Sequence, residues 1–226
     1  MQESDLIYDW NIVDYEFKRD AANHPHGIWF DDETLRDGLQ SPSARNPTIE
    51  EKIELLSYME RLGVQKVDLG LPGAGPFHVN HIDAMLSHIV DNGYSIRPGC
   101  AVRTVVSDIE PLVDLQAKHE MKIQASAFLG TSPIRQYAEN WTMERILSTA
   151  EKAVTFAVDN GIPVMFVTED TTRSKPEEIK EVYTRAIELG ADRICVCDTC
   201  GHVTPNGVKQ LLTYIQDEVI PDAGVK

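Results

Sequence analysis

Cysteine is scarce in this chain: four in 226 residues, three of them crowded together as Cys195, Cys197 and Cys200. That count excludes a disulfide-stapled secreted scaffold, and closely spaced thiols point to a reducing compartment, the cytoplasm. Basic side chains are outnumbered, 21 Lys and Arg against 36 Asp and Glu, for a formal net charge of −15. Such a surface repels phosphate backbones, so no nucleic-acid partner is expected. No apolar run approaches the roughly 20 residues that span a bilayer. The opening stretch Met1–Trp10 also lacks the basic-then-apolar layout of a signal peptide, so no membrane partner is expected. The glycine-rich phosphate loops GxGxxG and GxxxxGK[ST] are missing, which argues against a nucleotide-binding domain. What remains is ordinary globular composition, 42% hydrophobic and 25% charged.

From residue 28 onward, short β-rich apolar runs alternate with helical spacing, six times. The runs begin near Ile28, Val64, Ile96, Met121, Ile162 and Arg193, about 33 residues apart on average. Thr48-Ile-Glu-Glu51 reads as a capping box, followed by Ile49, Ile53, Leu56, Met59 and Leu62 on one face and by Gly63 as a stop. Ser107-Asp-Ile-Glu110 and Ser174-Lys-Pro-Glu177 repeat the capping device. Thr142 opens a long helix that Gly161 closes, and Thr204-Pro205 opens the last one. Strands alternating with helices imply an α/β fold with a parallel sheet, either doubly wound or a (β/α)8 TIM barrel. Polar residues follow nearly every strand, and a barrel gathers all strand ends at one mouth, which favours the barrel. Eight units at this spacing need about 290 residues, so about six βα units are expected here. Residues 1–27 read as an N-terminal extension and 28–226 as a partial barrel without strands seven and eight. Two unpaired sheet edges predict association between chains, a homo-oligomer such as a dimer.

Three clusters carry candidate chemistry. Asp31-Asp-Glu-Thr-Leu-Arg36-Asp37 places four acids and one arginine at a strand end, where a carboxylate suits a hard cation and the arginine an anion or enolate. The alternative is a solvated turn with a structural ion pair. Thr168-Glu-Asp-Thr-Thr-Arg173 places Glu169 at the end of the fifth strand, positioned for general-base work or as part of a polar loop before a helix. Cys195 and Cys197 alternate with Val196 and so share a strand face; without a partner His at finger spacing they read as buried small side chains rather than zinc ligands. Asp198 and Thr199 close that strand as better site residues. His24-Pro-His26 reads as a loop. Leu71–Pro76 and Thr131–Arg135 read as turns, the first able to approach a ligand through its backbone and the second offering Arg135 either to a carboxylate or to solvent.

Thr34-Leu-Arg-Asp-Gly-Leu-Gln40 resembles the first-strand signature of the metal-dependent acyl-CoA Claisen enzymes, which include 2-isopropylmalate, homocitrate and citramalate synthases and hydroxymethylglutaryl-CoA lyases. Asp198-Thr-Cys-Gly-His-Val-Thr-Pro205 is similar to their sixth-strand motif, and Thr168-Glu-Asp170 with Arg173 to their fifth-strand stretch. The resemblance spans about residues 28–215 and is strongest to the branch that makes 2-isopropylmalate. It implies a TIM barrel in which acetyl-CoA condenses with a 2-oxoacid, such as 2-oxoisovalerate, as an acyltransferase of leucine biosynthesis. Running as a lyase, or standing as a catalytically silent partial barrel, are the alternatives. By resemblance Asp37 is a metal ligand for Mg²⁺, Mn²⁺ or Zn²⁺, Arg36 polarises the substrate carbonyl and Glu169 assists proton transfer. Gln40 sits beside them, and Thr199 contacts the 2-oxoacid. Asp68 stands where the family has a Glu, and Arg103 aligns with a substrate-facing arginine. The family's further ligands, a His-x-His pair on strand seven and often an Asn on strand eight, have no counterpart after residue 202.

Overall fold

The computed structural model describes residues 6–14 and 28–221. Its order is β1 (Asp31–Asp32), α1 (Ile49–Leu62), β2 (Lys66–Asp68), α2 (Pro76–Asn92), β3 (Arg97–Arg103), α3 (Val106–His119) and β4 (Gln124–Gly130). It continues with α4 (Pro133–Glu139), α5 (Met143–Asp159), β5 (Val164–Glu169), α6 (Pro176–Glu188), β6 (Arg193–Val196) and α7 (Pro205–Tyr214). The six strands pair in parallel in the sequential order β1-β2-β3-β4-β5-β6. A doubly wound sheet reverses its order at a switch point; this one never does, and that decides for a partial (β/α) barrel.

The expected strand starts fall within about three residues of the observed ones, and the helix signals divide. Thr48 caps α1 in a reciprocal box with Glu51, and Gly63 ends the helix at φ 77°. Thr142 and Thr204 cap α5 and α7. Ser107 and Ser174 do not cap: α3 follows Val105 and α6 follows Lys175, neither with a side-chain cap. Ser107 lies inside α3, and the Ser174 hydroxyl is engaged by the Asp170 carbonyl four residues back. The stretch read as a turn at Thr131–Arg135 contains the start of a helix of its own, α4, before α5.

Strand alternation sorts the side chains. On β5, Val164, Phe166 and Thr168 are buried beneath the helices, whereas Met165, Val167 and Glu169 are half-buried on the inner face. Phe166 meets Tyr183 of α6 edge-on at 6.4 Å. The core lies between the central strands and α2, α3, α5 and α6. Below the mouth, Lys66 of β2 is buried inside the barrel and holds Asp31 of β1 at 2.5 Å. At the opposite end from the mouth the Trp29 ring lies between Arg97 of β3 and Arg193 of β6, 4.3 Å and 4.9 Å from its centre. The two edge strands therefore come within side-chain reach there.

Residues 6–14 of the extension are docked. The Trp10 side chain is buried, and its indole N–H donates to the Ser174 carbonyl at 3.1 Å. Asn11 accepts from the Thr204 backbone N–H at 2.7 Å. His24 and His26 lie outside the described residues.

Candidate active site

The mouth is built on Arg36, which follows β1 on a short turn. Its guanidinium reaches three carboxylates: Glu33 at 2.5 Å, Asp37 at 3.2 Å and, through Nε, Asp68 at 3.5 Å. Period-two alternation on β2 turns both Lys66 and Asp68 inward, one below and one at the mouth. Asp68 is fully buried and accepts from the backbone N–H groups of Gly70 and Ala101 at 2.9 Å and 3.3 Å. Burial, reinforced by Glu33, pushes its carboxyl up to about 7, against the pull of those N–H groups and Arg36. Burial likewise raises Glu33. Both carboxyls beside Arg36 are therefore held above the ordinary carboxylate range.

Glu169 closes β5 at the same end, half-exposed, 3.5 Å from Arg135 of α4. The Cys197 thiol is raised by its hydrogen bond to Cys195, by burial, and by the charges of Cys195, Glu169 and Glu33. The Cys195 and Cys197 sulfurs lie 3.9 Å apart on the inner face. A cavity of about 260 Å³ lies beside Glu169, lined also by Arg103, Phe128, Arg135 and Trp141. A second, of about 300 Å³, opens between Arg36, Gln40 and the turn after β2.

The other expected site residues have local partners. Arg103 forms a paired ion contact with Asp108 at 2.7 Å, and Gly73 presses so closely on that carboxylate that a Cβ would lie 2.3 Å from it. The turn after β2 is therefore tied to β3 through Arg103 and Asp108. Thr199 is exposed, and its hydroxyl accepts from the Asp170 N–H at 2.9 Å. Asp198 holds the turn after β6, accepting from the Thr172 hydroxyl and the His202 N–H at 2.8 Å and 2.9 Å. Asp170 is buried at φ 60° against Arg173. Glu33, counted in the acid cluster but given no role by the sequence, proves to be the tightest partner of Arg36, and Lys66 was not anticipated. The Glu33–Arg36 spacing and the Lys66–Asp68 alternation were the signals.

Asp37 is exposed and offers oxygen to a hard cation. Among the described residues, however, no group of three or more His, Cys, Asp or Glu is arranged to hold a metal ion. These residues alone do not make a metal site.

The HMGL-like family matches residues 28–225. The chain belongs to that family. Its relatives include the 2-isopropylmalate synthase of Sediminispirochaeta smaragdinae, 31% identical over 196 residues, covering 86% of this chain and 38% of the relative. The homocitrate synthase AksA of Methanothermobacter thermautotrophicus is 27% identical over 208 residues, 91% of this chain and 51% of the relative. The chain thus spans a little over a third of the 2-isopropylmalate synthase it matches. Among solved structures, the HMG-CoA lyase of Brucella melitensis superposes with a TM-score of 0.65 at 16% identity, over 84% of this chain and 68% of that one.

Proposed function

We propose that this HMGL-like chain carries the Arg36 half of a Claisen-type acyltransferase site that joins acetyl-CoA to a 2-oxoacid, 2-oxoisovalerate in the first instance, giving 2-isopropylmalate for leucine biosynthesis. The observation that supports this reading is the Arg36 hub, a guanidinium ringed by Glu33, Asp37 and Asp68 at the strand end whose mouth also holds Glu169. Arg36 is fixed in place by its carboxylates, so it can meet the developing oxyanion of the attacked ketone without reorganising. Glu169 takes or returns a proton at the acetyl methyl or the product hydroxyl, with Arg135 beside it holding the carboxylate in place. Gln40, Asp68, Arg103 and Thr199 form the substrate-facing rim. Asp37 is the residue offered to Mg²⁺, Mn²⁺ or Zn²⁺, whose other ligands would come from outside the described residues. We place the protein in the cytoplasm, where Cys195, Cys197 and Cys200 remain free thiols, and assign it a homo-oligomeric state through its exposed edges.

Isothermal titration of the chain with 2-oxoisovalerate, alone and with Mn²⁺, tests this. Saturable binding that falls by about 10²-fold in Arg36→Ala, with Arg36→Lys between the two, is expected. Binding unchanged in Arg36→Ala removes the assignment.

A further inference from the structure

Lys52 is out of place in an acidic chain. It lies on the buried stripe of α1 with Leu56 and Met59, is only 4% exposed, and has no ion pair or side-chain hydrogen bond among the described residues. Burial holds its ammonium below the ordinary lysine range, and lysines so placed are normally paired. Its side chain lines the roughly 300 Å³ cavity between the β1–α1 and β2–α2 connections, together with His78 and His81 of α2 and with Arg36 and Gln40. His78 and His81 are three residues apart and so share a helix face. The buried Nδ1 of His81 has no hydrogen-bond partner. Burial, with Lys52 and His78 alongside, keeps that ring below its ordinary pKa. The acid that acts on His81 is Glu50, which is engaged at the α1 N-terminus with Thr48 and its own backbone. The cavity thus has one buried cation, two imidazoles, an arginine and no carboxylate on its wall.

We propose that this cavity is an anion subsite in which Lys52 supplies the charge and His78 and His81 the ring donors. Its ligand is a carboxylate or phosphate carried by a molecule whose other end reaches Arg36. This rests on the proposed condensation site only for the second half, the reach to Arg36; the anion pocket stands on Lys52 and the two histidines alone. The walls also include Leu35, Leu39 and Leu69, so the ligand combines an anionic group with an apolar stem.

Titration of the ¹⁵N-labelled chain with inorganic phosphate at constant ionic strength, followed at the imidazole resonances of His78 and His81, tests the subsite. Saturable shifts are expected, with the dissociation constant raised at least about tenfold in Lys52→Met and restored in Lys52→Arg. Equal titration of wild type and Lys52→Met, or no saturable shift, overturns it. If Lys52→Met fails to fold by circular dichroism, His81→Gln must weaken phosphate binding instead, and unchanged binding there overturns the proposal. Competition then identifies the source: displacement of phosphate by ADP assigns the subsite to the nucleotide end of a coenzyme, and displacement by glutarate to a second carboxylate on the 2-oxoacid. Displacement by neither overturns the link to a substrate. Because the readout is phosphate binding, it is independent of whether 2-oxoisovalerate binds at Arg36.

Discussion

The middle of the sheet and its two edges are built differently. β3 and β4 are seven residues long and almost wholly buried, and β5 contributes six residues with every second one sealed under helices. β1 is two residues long, β6 is half-buried throughout, and the apolar Ile28 and Phe30 beside β1 are 74% and 69% exposed. Yet the edges carry Arg36, Asp37, Asp198 and Thr199, while the centre carries Phe166 and its neighbours. Packing falls off toward the edges in this chain: the central strands are sealed under helices and end in Arg103 and Glu169, whereas the edges hold their charged groups on short turns.

The comparison breaks if the centre tolerates truncation. Phe166→Ala should lower unfolding free energy by about 3–5 kcal/mol, read by urea denaturation, because the fully buried ring leaves a cavity under Tyr183. A loss below about 1 kcal/mol would mean that the centre is not the stabilising region. The acid cluster at the edge should act through pH. The Asp68 carboxyl is raised to about 7 in the folded chain against about 3.9 unfolded. The folded state therefore holds the extra proton, and stability falls as pH rises from about 4 to about 7. Asp68→Asn should flatten that dependence and add about 2 kcal/mol above it, measured by thermal melts across pH; a profile unchanged by the substitution would remove the buried acid as its cause. Smallest of all, Phe30→Ser should change stability by no more than about 0.5 kcal/mol while reducing self-association in light scattering. A purely monomeric wild type would show that the edges are not sticky.

Much of the fold was legible because it rests on local rules. Alternation located all six strands, and the threonine caps at Thr48, Thr142 and Thr204 located three helices. Ser107 and Ser174 carried the same local signal without its outcome: α3 starts two residues before the point its signal marked, and the Ser174 hydroxyl is engaged by the Asp170 carbonyl. Leu62 was read onto the apolar face of α1 and is 81% exposed, while the charged Lys52 occupies the buried stripe. A hydrophobicity pattern cannot register a lysine as a core position. The site was legible as strand-end motifs. The Arg36–Asp68 contact was not, because it depends on the turn that carries Arg36 from the end of β1 over the end of its neighbour β2.

Trp10 and Asn11 bind Ser174 and Thr204, across 164 and 193 residues of chain. Closing so large a loop is entropically costly until its partners are formed, so this clasp is expected to follow the placing of β5 and β6. The earliest described segment is then expected to be among the last to settle.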